Sequence, residues 1–221
     1  MRRTGRDHDE QLQNSGSNKR GKAANHPILI ESIDNLAFTL MQPSCPPLLC
    51  LRLRDTPMTR TDMNGLIKAI TSSQHSLQLT LDFQSNRLKD PHIISLIDCL
   101  KRAPDNIRIS ILIAYNAITC EGAKAIAEAI YRGIWPFVNN NLNLCGNLIE
   151  YEGATAITAA FIEKAQPMFT LDLSNNRLED DSAETIAMLL ATRPHSTDLT
   201  FNLAKFFNIP FGHLATLHAA I

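Results

Sequence analysis

Residues 171–178 read LDLSNNRL, and this octet decides the fold because close relatives of it recur along the chain. They are LRLRDTPM at 51–58, LDFQSNRL at 81–88, ILIAYNAI at 111–118, LNLCGNLI at 142–149 and LTFNLAKF at 199–206. Successive copies start 30, 30, 31, 29 and 28 residues apart, a regularity that marks a repeat architecture. Each copy follows L-x-L-x-x-N-x-L. The alternating apolar pairs Leu51/Leu53, Leu81/Phe83 and Ile111/Ile113 predict a short strand with one buried face. Behind the strands come stretches at helical spacing: GAKAIAEAI at 122–130, GATAITAAF at 153–161 and SAETIAMLL at 182–190. Ala154, Ile157 and Phe161 fall on one side of such a helix. Short strand, turn, helix, repeated six times, is an α/β solenoid in the making.

The asparagine of the motif stands at Asn86, Asn116, Asn147 and Asn176, with Thr56 and Ala204 in the first and last copies. On these residues the chain resembles the leucine-rich repeat family, in its ribonuclease-inhibitor-like branch, over residues 48–221. The resemblance implies a right-handed horseshoe solenoid, with a parallel sheet on the concave face and helices on the convex face. It also implies that Asn86, Asn116, Asn147 and Asn176 turn inward as a structural ladder, hydrogen-bonding backbone groups of adjacent turns. Thr56 and Ala204 fit terminal copies, which meet one neighbour only.

Outside the repeats, residues 1–24 are polar and aperiodic, which predicts a disordered basic tail. That tail holds six basic against three acidic residues, while the whole chain carries a formal net charge of −1. Residues 25–47 predict a helix over 25–42 capping the open end of the solenoid, closed by the PSCPP linker. The stretch IWPFVNNN at 134–141 lengthens one period to 31 residues and predicts a local irregularity there. At the other end Phe201, Phe206, Phe207 and Phe211 crowd the last residues. Self-association through that end is the expectation if they are left uncovered.

A near-neutral charge makes nucleic acid an unlikely ligand for the chain as a whole. No apolar run reaches the length of a transmembrane span, and no apolar leader follows Arg2 and Arg3. Cys45, Cys50, Cys99, Cys120 and Cys145 are scattered singly, so reduced thiols are expected rather than a disulfide framework or a metal site. GSNKRGK at 16–22 imitates part of a phosphate-binding loop but lacks the strand before it and the hydroxyl after Lys22. Glu179, Asp180 and Asp181 open a helix, where the backbone dipole favours acids, and need no metal to explain them. No nucleophile, base and orienting group stand together. The expectation is therefore no catalytic residues, no cofactor and no metal.

What remains is the outward face of the strands, the surface with which solenoids bind partners. Its candidate residues are Arg52, Arg54, Asp82, Gln84, Leu112, Tyr115, Asn143, Asp172, Ser174 and Asn202. They predict a gradient: basic at the first copy, opposite in sign at Asp82 and Asp172, with Leu112 and Tyr115 as an apolar anchor between. The expected function is a non-catalytic protein–protein interaction module binding a protein partner of unknown identity on that face. The isoleucine-rich composition and the repeat type resemble effectors that intracellular bacterial pathogens deliver into host cells. A cytoplasmic location, or delivery without a cleavable signal peptide, follows from that resemblance. The alternative is a GTPase-activating regulator resembling the Ran GTPase activator, with Arg54 or Arg87 as the charge-stabilising group.

Overall fold

The computed structural model describes residues 26–136, 141–164, 169–178, 185–186, 188–189 and 199–202. Strands and helices alternate: β1 (Ile28–Ile30), α1 (Ile33–Met41), β2 (Leu48–Arg52), α2 (Arg60–Thr71), β3 (Leu77–Asp82), α3 (Asp90–Arg102) and β4 (Ile107–Leu112). There follow α4 (Cys120–Tyr131), β5 (Asn141–Asn143), α5 (Tyr151–Lys164), β6 (Phe169–Asp172) and β7 (Leu199–Asn202). All pairings are parallel, in the orders β1-β2-β3-β4 and β5-β6-β7. The register is that of the sequence repeat. The first motif residue always faces the first motif residue, as Leu51↔Leu81↔Ile111 in one sheet and Leu142↔Leu171↔Phe201 in the other.

The break between the sheets falls at the lengthened period, of which residues 137–140 lie outside the described part. The two halves are still joined. The Tyr115 N–H donates to the Cys145 carbonyl at 2.7 Å, and the Leu148 N–H donates to the Ile118 carbonyl at 2.8 Å. One continuous core runs beneath both sheets. The inward strand residues Leu49, Leu51, Leu79, Leu81, Ile111, Leu142 and Leu171 meet one stripe of each helix. In α2 that stripe is Met63, Leu66 and Ile70; in α3 it is Ile93, Leu96 and Ile97; in α5 it is Ala154, Ile157 and Phe161. A single βα unit exposes half of this surface, and stacking removes it from water.

The N-terminal unit differs from the helix expected over 25–42. Ile28–Ile30 form a strand on the edge of the sheet, paired Ile28↔Leu49 and Ile30↔Leu51, and the helix begins only at Ile33. Ser32 sets that boundary: it is extended, and its side chain accepts from the Asn35 N–H at 3.1 Å. Pro27, which has no N–H to offer, stands just before the edge strand, a position such residues tolerate. The helix stops at Met41, ahead of Pro43, as the linker predicts. The basic tail at 1–24 and the apolar residues from Phe206 onward lie outside the described residues.

Candidate functional site

The turn after each strand is built the same way. The fifth motif residue takes a left-handed conformation in all five described copies: Asp55 (φ 56°), Ser85 (60°), Tyr115 (57°), Gly146 (68°) and Asn175 (56°). Where the sixth is asparagine, it then points inward. Asn116 accepts from the Asn86 N–H (3.1 Å) and the Leu88 N–H (2.8 Å), and donates to the carbonyls of Phe83 (2.9 Å) and Ile113 (3.0 Å). Asn86 accepts from the Thr56 N–H at 2.7 Å and donates to the Leu53 carbonyl. Asn147 accepts from Ile118 (3.2 Å), and Asn176 from Ile149 (3.0 Å) while donating to Leu144 (2.9 Å). Apart from the bond to Ile113, which lies within one turn, these cross from one turn to the next, so the ladder holds the spacing of the strands on which the outward residues sit.

Those outward residues are not equivalent in exposure. Arg52, Arg54 and Tyr115 are exposed, Gln84, Leu112, Asn143 and Asp172 are half-buried, and Ser174 is buried. β7 includes Asn202, whose side chain is outside the described part. Asp82 contradicts the expected gradient. It is only 1% exposed, lying beneath two arginines rather than offering negative charge to solvent. Its carboxylate takes Arg52 Nε at 3.2 Å and Arg54 at 3.1 Å through Nε and 3.0 Å through Nη2. Arg54 Nη2 also donates to Gln84 Oε1 at 2.7 Å. The sequence separates these residues by about a full repeat. Parallel pairing Arg52↔Asp82 brings them side by side.

A second job explains acids and amides at this motif position. The oxygens of Asp82, Asn143 and Asp172 accept the backbone N–H two residues ahead, at Gln84 (3.3 Å), Cys145 (2.9 Å) and Ser174 (2.9 Å). This is an Asx turn, repeated in three copies, that starts the chain toward its left-handed residue. The Asp172 carboxylate also takes the Ser174 hydroxyl at 2.6 Å on that same oxygen. Arg108, exposed on β4, belongs to the same face and was missed by sequence reasoning centred on the motif. Alternation along β4 (Arg108, Ser110, Leu112 outward) was the signal that could have found it.

Tyr115 stands at the middle of this surface, 56% exposed. Its ring lies against Gly146 so closely that a Cβ there would come within 2.3 Å of Tyr115 Cδ1. Beside it, Asn175 Nδ2 donates to the Cys145 thiol at 3.3 Å. Hydrogen bonding with Cys145, and the Asp172 charge to a lesser degree, push the Tyr115 phenol above its ordinary pKa, so it stays neutral and keeps its donor. Elsewhere burial raises the Cys45 and Cys50 thiols and takes Cys99 up to about 11, a direction that favours the neutral thiol.

The helical back offers one rival feature, a shallow groove of about 200 Å³ between α3 and α4 lined by Ile94, Ile97, Lys101 and Glu128 among others. Among the described residues no group of three His, Cys, Asp or Glu is placed to hold a metal ion, and no helix is long and apolar enough to cross a membrane.

Residues 166–187 match the family model described as Leucine Rich repeat. Alternating strands and helices over parallel sheets fit an α/β fold of that kind, and such repeats serve in general as interaction scaffolds without catalysis. No curated protein matches the chain.

Proposed function

We propose that this chain is a non-catalytic recognition module, a right-handed horseshoe of the ribonuclease-inhibitor-like type that takes a protein partner on its concave face. Tyr115 carries the reading. A bulky aromatic held left-handed is strained by about 1–2 kcal/mol, and folds keep such strain mainly where a side chain has work to do. Packing against Gly146 fixes the ring while more than half of the residue stays open to solvent. A rigid, exposed aromatic is the usual make-up of an interface hot spot. The resemblance to effectors of intracellular pathogens extends the proposal to a partner inside a host cell, reached by delivery or in the producing cytoplasm.

Affinity capture from host-cell and bacterial lysates tests this, with wild type, Tyr115→Asn and the helix-face variant Ile94→Lys compared quantitatively. A protein retained by wild type and Ile94→Lys but lost from Tyr115→Asn supports the concave face. Retention unchanged by Tyr115→Asn contradicts it. Stimulated GTP hydrolysis by a panel of small GTPases, abolished by Arg54→Gln or Arg87→Gln, would instead identify a GTPase-activating regulator.

A further inference from the structure

The cluster of Arg52, Arg54, Asp82 and Gln84 has a property that no single member has: its side-chain acceptors are all engaged, while several of its donors are left over. Both Asp82 oxygens are engaged, Oδ2 by the two arginines and Oδ1 by the Gln84 N–H, and Gln84 Oε1 is taken by Arg54. On the other side, the terminal nitrogens of Arg52, Arg54 Nη1 and Gln84 Nε2 have no partner among the described residues. The arginine side chains are 44% and 48% exposed, and that of Asp82 is 2%. One buried carboxylate balances one of two half-exposed guanidiniums. What the four residues themselves turn outward carries one net positive charge and consists of N–H donors. Asp55, on the turn one residue past Arg54, is the exposed carboxylate next to it in the chain.

From this we infer a carboxylate clamp at the N-terminal end of the concave face, which receives an acidic side chain of an extended partner segment. The inference rests on the concave-face reading and adds the partner's chemistry. Asp82 is a positioning residue: by holding both arginines it lowers the side-chain entropy lost on binding and aims their free N–H groups outward. Arg and carboxylate then meet in the bidentate manner that guanidinium geometry favours. Apolar surface lies close by, because Leu112 is paired with Asp82 and Tyr115 follows it. Two strand spacings, about 10 Å, separate the Arg54 strand from that of Tyr115, and an extended peptide covers this in about three residues. The matching segment is an acid followed three positions later by an apolar or aromatic residue. A free phosphate would use the donors but leave Tyr115 idle.

The test uses two pools of labelled peptides with otherwise random positions, one fixed as Glu-Xaa-Xaa-Phe and the other as Gln-Xaa-Xaa-Phe. Their binding to the full chain is read by fluorescence anisotropy. Wild type should bind the Glu pool about tenfold more tightly, the worth of a charge-assisted hydrogen bond. The double variant Arg52→Gln, Arg54→Gln should erase that difference. Asp82→Asn discriminates further, since it makes the surface more positive. A mere field effect would then strengthen binding of the Glu pool, whereas a clamp that has lost its positioning residue weakens it several-fold. Emission of Trp135, the one tryptophan of the chain and a buried one, checks that each variant is folded. Equal binding of the two pools, binding of neither, strengthening by Asp82→Asn, or full displacement by inorganic phosphate with no effect of Tyr115→Asn overturns the clamp. If the pools bind equally and Tyr115→Asn weakens both, the clamp falls while the concave face stands. If Ile94→Lys weakens both and Tyr115→Asn neither, both fall.

Discussion

At motif position five the chain turns left-handed in every described copy, and of the residues found there Tyr115 is the costliest to place. Asparagine adopts this conformation readily and stands at the equivalent position 175. Tyr115→Asn should therefore leave stability unchanged or raise it by about 1 kcal/mol by urea denaturation, while removing the anchor. A loss of several kcal/mol would mean that the ring is structural. The neighbouring asparagines separate two roles. Asn116→Leu strands the N–H groups of Asn86 and Leu88 and should cost about 3 kcal/mol. Asn175→Gly should be nearly neutral and Asn175→Ala should cost about 1 kcal/mol, through backbone conformation. Equal losses at 116 and 175 would contradict the inward register. Cys99 supplies a pH signature. Burial pushes its folded pKa up to about 11, above the ordinary thiol range, so the neutral thiol is the form that folding favours. The stability it contributes is intact below about pH 9 and is lost as pH rises through about 11, by about 3 kcal/mol. Cys99→Ala should flatten that decline in a pH series of melts. The inward asparagines were legible because the family motif places them. The fate of Asp82 was not, because an outward strand position says nothing about which side chains of neighbouring strands fold over it.

Among the helices, α4 and α5 pack through their smallest residues. A Cβ on Gly153 would sit 2.9 Å from Ala123 Cβ and 2.9 Å from Cys120 Cα, the latter a backbone atom that does not yield to a rotamer change. Gly153→Leu should cost about 3 kcal/mol in urea denaturation, and a near-neutral result would contradict the close approach of these helices. Gly122 is confined by Asp90, whose carboxylate accepts from the Thr119 N–H at 2.9 Å and its hydroxyl at 2.7 Å. The end of α4 is closed by Gly133 at φ 68°, with the Ile134 N–H donating to the Ala129 carbonyl at 2.8 Å. Helices at these positions were legible from the spacing of Ala154, Ile157 and Phe161. The strand β1 was not. Ile28-Leu29-Ile30 is a three-residue apolar run without the repeat motif, and its apolar residues also suit a helical stripe. Pairing with β2 decides between the two, and that is a tertiary contact invisible in a local window.

For the whole molecule, the formal charge of −1 conceals a pair of half-exposed arginines held over one buried carboxylate on the outward strand face. The repeat makes this possible: it stacks residues about thirty positions apart into neighbours, so a few substitutions at outward positions write a binding site without disturbing the core. The strands β2 to β7 and their order followed from the periodicity, whereas the site depended on which outward side chains the fold buries. The most direct measurement is a binding titration of the captured partner against wild type, Tyr115→Asn and Ile94→Lys, with Trp135 emission confirming that each is folded. Recognition on the concave face predicts that Tyr115→Asn weakens binding about thirtyfold and Ile94→Lys leaves it unchanged. Weakening by Ile94→Lys with no effect of Tyr115→Asn would place the partner on the helical back and contradict the concave-face account.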